Sequence, residues 1–190
     1  MPQITTIVKL AVEKILKKNV LVVGAGIKTG LNIRIDNPAQ LGSDLVVDSV
    51  AAIVEYPAPL LIFDLGTANT VCVIDKNKNY IGGMIYPGIG VSLDSLTAHA
   101  SQLGGISIEA PEHMIGKNTT ECMKSGLLYS SAAAMDGIID RLQEQLGGEA
   151  TVIATGGLAK KIVPHCRREI ILDDDLLLKG LAIIYKKNRK

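Results

Sequence analysis

The segment between residues 60 and 87 contains three apolar runs joined by two short turns, and it constrains the fold more than any other part of the sequence. The first run, "LLIFD", ends at Asp64; "TVCVID" follows a turn of small residues; "YIGGMIY" stops at Pro87-Gly88. Short apolar runs bounded by turn residues predict β-strands, and strands joined by tight turns pair in antiparallel fashion. We therefore expect a three-stranded antiparallel meander in this segment.

Helices are predicted on both sides of the meander. Apolar residues recur at the three-four spacing of a helix face over residues 4–18. Further helices are predicted at 44–56, 90–103, 118–146 and 175–188, and a short one opens in "GGLAKKIV". These segments are expected to cover the sheet.

Two further apolar runs, "VLVV" at 20–23 and "TVIAT" at 151–155, predict buried strands outside the meander. The second run follows the helices, so it can join the sheet in parallel through a right-handed crossover. The predicted fold class is therefore α/β, with a mixed sheet of three antiparallel strands plus parallel strands, covered by helices.

Composition excludes several classes of function. Aromatic residues make up only 3% of the 190 residues and Trp is absent, so the core must be aliphatic. A formal net charge of +1 gives no strong field for nucleic acid, and no apolar run is long enough to span a membrane. The three cysteines are odd in number and form no C-x-x-C pair, which indicates reduced thiols. We expect a cytoplasmic protein that binds neither nucleic acid nor membrane.

Asp64 is the single acidic residue of its strand and is followed at once by Gly66 and Thr67. Ligands gather at the carboxyl ends of strands in such sheets. Backbone amides and a hydroxyl suit phosphate, and a carboxylate suits the cation that accompanies it. The structural alternative is an Asx-turn that caps the strand, with glycine forming a hairpin.

A second glycine loop follows the strand at 151–155. "ATGGLAK" contains a strand end, Gly156-Gly157 and a helix start, an arrangement that holds phosphate or nucleoside at a helix N-terminus. Two such loops on one sheet are typical of a nucleotide cleft. A third loop, "GAGIKTG" at 24–30, is not a Walker A loop, because Lys28 lies between its glycines; Lys28 either contacts an anion or is a solvated lysine.

Six blocks of this sequence resemble type III pantothenate kinases in their order and spacing. The blocks are "GAGIKTGLNIRIDNP", "LGSDLVVDSVAA", "LLIFDLGTANT", "YIGGMIYPGI", "IGKNTTECMKSG" and "VIATGGLA". This family belongs to the acetate and sugar kinase, chaperone and actin superfamily, which has duplicated ribonuclease-H-like lobes of the actin-like ATPase type. The resemblance covers what would be the C-terminal two-thirds of a family member. It implies that residues 1–58 are the remainder of an N-terminal lobe with the substrate-binding segment, and that residues 59–190 are the C-terminal lobe.

The resemblance implies ATP-dependent phosphorylation of pantothenate to 4'-phosphopantothenate, the first step of coenzyme A biosynthesis. Asp44 matches the proposed base of the family's G-x-D-R block, and Asp64 matches its ligand for a monovalent cation, K⁺ or NH₄⁺. Mg²⁺ is expected to accompany ATP. The other matches are the substrate-binding positions Gly42, Ser43, Leu45 and Thr119, and the ATP-binding Thr67. Together with the loop glycines Gly66, Gly156 and Gly157, Thr67 forms the expected ATP site.

The sequence departs from the family pattern at three points. The N-terminal D-x-G-N-T phosphate loop is missing, so the chain alone is expected to be an incomplete enzyme. The arginine of G-x-D-R is Leu45, and a tyrosine before D-N-P is Ile35; leucine cannot form the two hydrogen bonds of an arginine to a carboxylate. A non-catalytic nucleotide-binding or regulatory member of the family therefore stays open as an alternative. The expected partner is a second copy of the chain in a homodimer, or a separate N-terminal lobe.

Overall fold

The computed structural model describes residues 2–100 and 102–189, except for the side chains of residues 2 and 3. Most of the predicted elements are present, and their bounds follow in chain order. They are α1 (Pro2–Leu16), β1 (Asn32–Ile33), α2 (Ser43–Glu55), β2 (Leu60–Leu65), β3 (Ala68–Ile74), β4 (Asn79–Pro87), α3 (Ile89–His99), α4 (Thr119–Leu146), β5 (Thr151–Thr155), α5 (Ala159–Ile162), β6 (Ile171–Leu172) and α6 (Leu176–Asn188).

The described strands form one mixed sheet in the order β1-β4-β3-β2-β5-β6. β2, β3 and β4 pair antiparallel, and β5 lies parallel to β2 on its other side. The predicted meander and the parallel strand that follows the helices are therefore confirmed. The edge strands β1 and β6 have two residues each, too few to produce a periodic pattern in the sequence.

Helices cover both faces of the sheet, and the strands alternate between two apolar clusters. Phe63 and Val71 point to the face covered by α3, α4 and α5. Ile62 and Cys72 point to the opposite face, which is covered by α2 and α6. Because side chains alternate along a strand, Asp64 lies on the same face as Ile62.

The packing of α6 on α2 depends on Gly180. A β-carbon at position 180 would lie 2.7 Å from Cγ1 of Val47 and would also contact the Val47 carbonyl oxygen. The absence of a side chain therefore lets the two helices approach closely. This contact fixes the start of α6 beside α2, next to the carboxyl ends of β2 and β5.

The strand predicted at 20–23 is wrong. The structure gives these residues no regular secondary structure, and the side chains of Leu21 and Val22 are 36% and 41% exposed. The amide of Val20 donates to Oε1 of Glu13 at 3.0 Å. Apolar, β-branched composition alone does not make a strand, because the backbone also needs a neighbouring strand, and none of the described strands pairs with this segment.

Two further predictions concern membrane-spanning segments and the state of the cysteines. Within the described ranges, no helix combines the length and apolar character needed to cross a membrane. Cys72, Cys122 and Cys166 are free thiols. The predicted division at residue 58 stays a prediction.

Candidate functional site

A cavity of about 450 Å³ lies between the first turns of α2, the ends of β2 and β5 and the start of α6. It brings together four residues that the sequence predicts to be functional: Asp44, Asp64, Gly156 and Gly157. The complete lining is Asp44, Asp48, Asp64, Thr155, Gly156, Gly157, Asp174 and Leu177.

Asp64 reaches this cavity because of the sheet register. Its cross-strand neighbours are Thr70 on β3 and Thr155 on β5, so three polar residues form one row across three adjacent strands. Burial raises the pKa of Asp64 above 3.8, and the negative charge of Asp44 raises it further. A cation beside Asp64 would offset both effects.

The loop after β5 packs directly on this carboxylate. Gly156 has φ +93°, and a β-carbon there would lie 2.7 Å from the backbone nitrogen and oxygen of Leu65 and would contact Oδ1 of Asp64. Only glycine fits this backbone conformation and this space. The amide of Leu158 donates to the Leu65 carbonyl oxygen at 3.1 Å and holds the loop against β2.

The start of α2 places Asp44 at the mouth of the cavity. Gly42 is the N-cap, and Asp44 lies exposed in the first turn, with Oδ1 accepting the Leu45 amide at 3.0 Å. Ser43 is exposed beside it. Leu45 does not line the cavity: its half-buried side chain packs on the apolar cluster between α2 and the sheet. In this rotation of α2, position 45 is turned away from the cavity.

Asp48 also lines the cavity, although the sequence does not predict it as a site residue. It lies one turn after Asp44 and is 2% exposed, and its Oδ1 has no hydrogen-bond partner among the described residues. Burial, together with the negative charges of Asp64, Asp44 and Asp173, raises the pKa of Asp48 to about 7. The only signal in the sequence is one acidic residue in the apolar run "VVDSVAA", four positions after Asp44.

Asp173 and Asp174, the acidic residues just before α6, form hydrogen bonds or ion pairs with neighbouring side chains. Asp173 is buried and accepts hydrogen bonds from the Tyr56 hydroxyl at 2.8 Å and from Lys179 Nζ at 2.7 Å. Burial alone would raise the pKa of Asp173, but the hydrogen bonds from Lys179 and Tyr56 bring it below 3.8. Asp174, at the rim of the cavity, forms an ion pair with Lys160. These contacts attach the start of α6 to the end of α2 and to α5.

Gly66 and Thr67 form the turn between β2 and β3 but do not line this cavity. Thr67 is exposed, and its carbonyl oxygen accepts the Gly88 amide at 3.0 Å. The turn is therefore anchored to the residue that precedes α3.

Thr119 lies in a different cavity, on the opposite side of the sheet from α2. This second cavity has a volume of about 780 Å³ and lies between α3 and the first turns of α4. Asn118 caps α4 by accepting the Glu121 amide at 3.0 Å. Within one chain, Thr119 and Asp44 do not share a cavity.

Lys28 also lies away from the predicted site. Its backbone amide donates to Oδ1 of Asn188 at 3.1 Å, and Asn188 Nδ2 donates to the Lys28 carbonyl oxygen at 2.9 Å. The glycine loop at 24–30 is thereby attached to the end of α6. Its exposed lysine agrees with the interpretation as a solvated side chain.

Solved structures with a similar arrangement define the fold class. A Baf family transcriptional activator from Campylobacter jejuni matches with a TM-score of 0.55 and 22% identity, over 84% of this chain and 70% of that chain. The ethanolamine utilization protein EutJ from Carboxydothermus hydrogenoformans matches with a TM-score of 0.52 and 14% identity, over 96% and 72%. These similarities show that the chain shares the fold of these two proteins, and the predicted α/β class with a mixed sheet is confirmed.

Sequence comparison then shows the family. The family model described as type III pantothenate kinase matches residues 1–141. Type III pantothenate kinases from an Exiguobacterium species and from Bacillus cytotoxicus are 46% and 47% identical, over 90% and 93% of this chain. The chain belongs to the type III pantothenate kinase family. It spans 66% and 67% of the length of these two curated relatives.

Proposed function

We propose that this chain supplies the substrate- and cation-binding part of a pantothenate kinase that transfers the terminal phosphoryl group of ATP to pantothenate. The product would be 4'-phosphopantothenate, the first intermediate of coenzyme A biosynthesis, made in the cytoplasm. The observation that carries the proposal is the cavity at which Asp44, Asp64 and the Gly156-Gly157 loop meet. The family to which the chain belongs supports it independently.

Asp44 is the proposed catalytic base. It is exposed and lies in the first turn of α2, at the positive end of the helix dipole. It can orient the pantothenate hydroxyl and accept its proton late in phosphoryl transfer. Gly42 and Ser43, which precede it, are proposed to contact the same substrate.

The nucleotide is proposed to bind along the ends of β2 and β5. Gly156 and Gly157 bring backbone amides beside Asp64 without any intervening side chain. Gly66 and Thr67 extend this surface at the adjacent turn. Positioning and charge neutralisation are the main sources of catalysis in phosphoryl transfer. Backbone amides that no side chain covers can contribute to both.

The cavity fits cations. Carboxylates of Asp44, Asp48 and Asp64 line it, Asp48 has an unpartnered buried oxygen, and none of the described lining residues is Lys or Arg. We propose K⁺ or NH₄⁺ beside Asp64, and Mg²⁺ bound with ATP. When bound, these ions neutralise phosphate charge.

Thr119 is proposed to contact pantothenate in an assembly with a second copy of the chain. The supporting observation is that Thr119 and Asp44 lie in cavities on opposite faces of the sheet within one chain. The molar mass in solution, measured by light scattering, tests this homodimer. A monomeric mass at the concentrations used in assays would contradict it, and would favour an assembly with a separate N-terminal lobe.

A chimeric enzyme tests the activity. The parts of the Bacillus cytotoxicus relative that lie outside the match are joined to this chain, and product is followed by mass spectrometry with ATP, Mg²⁺ and K⁺. We expect 4'-phosphopantothenate to form at about 1 per second or faster, as in typical enzymes. A folded chimera that binds ATP but forms no product would instead support a non-catalytic family member.

A further inference from the structure

Asp48 is a buried carboxylate that no described side chain pairs. The residue is 2% exposed, and its Oδ1 is inaccessible to solvent and lacks a hydrogen-bond partner among the described residues. Buried carboxylates in proteins are hydrogen-bonded, paired with a cation or bound to a metal, because burying one alone is costly. Asp48 also lines the cavity at the ends of β2 and β5. The carboxyl that lacks a partner therefore belongs to the wall of this cavity.

The charges around Asp48 favour a cation as this partner. The groups that act on its carboxyl are Asp64, Asp44 and Asp173, all acidic. The nearby lysines are engaged elsewhere. Lys160 pairs with Asp174, and Lys179 pairs with Asp173 and Glu55.

A second orphaned oxygen lies next to Asp64 on the same face of the sheet. Thr70 is the cross-strand neighbour of Asp64, and its buried Oγ1 has no partner among the residues described. The hydroxyl of Thr155 flanks Asp64 from β5 and lines the cavity. Carboxylate and hydroxyl oxygens are the donor set of a hard cation.

We propose that Asp48 is a second carboxylate ligand at the cation site beside Asp64, and that the pair enables this site to bind a divalent cation such as Mg²⁺ or Mn²⁺ as well as the monovalent ion. The inference rests on the proposed function, since it starts from the Asp64 cation site. Two carboxylates carry two negative charges, which one divalent ion neutralises. Among the described residues, no three His, Cys, Asp or Glu side chains form a protein-only metal site. The ion would therefore keep several waters, as Mg²⁺ commonly does.

Binding of Mn²⁺ alone to the purified 190-residue protein tests the proposal. The free-ion signal in electron paramagnetic resonance gives the affinity, Mg²⁺ is the competitor, and unfolding curves confirm that each variant is folded. Loss of an outer-shell partner of a metal already weakens binding by about 10–100-fold, so Asp48→Asn should weaken Mn²⁺ at least about tenfold. Asp94→Asn, an exposed change on α3, is the matched control and should bind as the wild type does.

The variant Asp64→Asn distinguishes the proposed role of Asp48 from the cation site at Asp64. If Asp64→Asn loses Mn²⁺ while Asp48→Asn retains wild-type affinity, the role of Asp48 is overturned and the cation site at Asp64 stands. If neither variant changes the affinity, or if the wild type binds no Mn²⁺ at millimolar concentration, the divalent site is overturned, and the K⁺ site at Asp64 is decided separately by the K⁺ dependence of the rate. Asp48→Ser supplies the same readout should Asp48→Asn fail to fold.

Discussion

Gly156 lies so close to Asp64 that a β-carbon at position 156 would contact the Asp64 carboxylate. Asp64 lies near the end of β2, and Gly156 follows the end of the parallel strand β5. The loop after β5 folds back onto the end of β2. This contact joins the loop proposed to bind the nucleotide to the carboxylate proposed to bind a cation. It also makes the site sensitive to a single methyl group.

Gly156→Ala should destabilise the protein because alanine meets both a strained φ of +93° and the backbone of Leu65. Strained backbone positions cost about 1–3 kcal/mol each, and we expect a loss of stability in that range in urea unfolding. Gly157→Ala is the control: no described atom lies within 4 Å of a β-carbon there, so its effect should stay within about 0.5 kcal/mol. Equal urea midpoints for the two variants would show that the loop is not packed on β2 as described.

Gly180→Ala should separate α6 from α2, because the added methyl group meets the Val47 carbonyl oxygen. Overpacking of this kind typically costs about 1–3 kcal/mol, measurable by thermal or urea unfolding. Gly126→Ala on the exposed side of α4 is the matched helix control, with no described atom within 4 Å. It should stabilise by about 0.5–1 kcal/mol, since alanine is favoured over glycine in a helix. A neutral Gly180→Ala would contradict the close helix contact.

Asp173→Asn should reduce stability in a pH-dependent way. The folded-state pKa of Asp173 is below 3.8, so the folded protein binds fewer protons there than the unfolded chain does. The contribution of this carboxylate is therefore complete above about pH 4 and is lost as the pH falls through the folded-state pKa. The difference between wild type and Asp173→Asn in urea midpoint should be largest at neutral pH and should shrink in acid. A difference that stays constant down to pH values below 3.8 would show that ionisation of Asp173 is not the stabilising factor.

Several parts of the site could be predicted because they depend on short-range pattern. Asp64 and Gly156 each follow an apolar run bounded by turn residues, and the ends of adjacent parallel strands necessarily lie together. Asp48 could not be predicted in the same way. Its position on α2 is visible in the sequence, but the lack of a partner is a property of packing. The roles of Thr70 and Thr155 depend on strand register, which no single segment encodes.

The orientation of Leu45 could not be predicted from its motif. Its position in the G-x-D-R block predicts contact with the substrate, which stays a prediction, and the rotation of α2 places its half-buried side chain on the apolar cluster. Helix rotation is set by which face is buried against the sheet and α6, and that depends on residues far from the motif. The strand predicted at 20–23 is wrong because an apolar run forms a strand only where a pairing partner is available.

Asp64→Asn in the chimeric enzyme should abolish activation by K⁺ together with most of the turnover, because the proposed monovalent ion loses its carboxylate ligand. The measurement is the initial rate in K⁺ buffer compared with buffer containing Na⁺ as the sole monovalent cation. Asp94→Asn should retain full activation. Equal rates of the unmodified chimera in the two buffers would contradict a K⁺ site at Asp64.

The most direct test of the proposed kinase site is the turnover of the chimeric enzyme with Asp44 replaced by Asn, compared with the unmodified chimera. General-base assistance typically contributes about 10²–10⁴-fold, so Asp44→Asn should lower the rate of 4'-phosphopantothenate formation by about that factor. Because Asp44 is exposed at the mouth of the cavity, ATP binding and thermal stability should stay close to those of the unmodified chimera. If Asp44→Asn turns over pantothenate at a near-normal rate, the cavity between α2 and the ends of β2 and β5 is not the site of phosphoryl transfer.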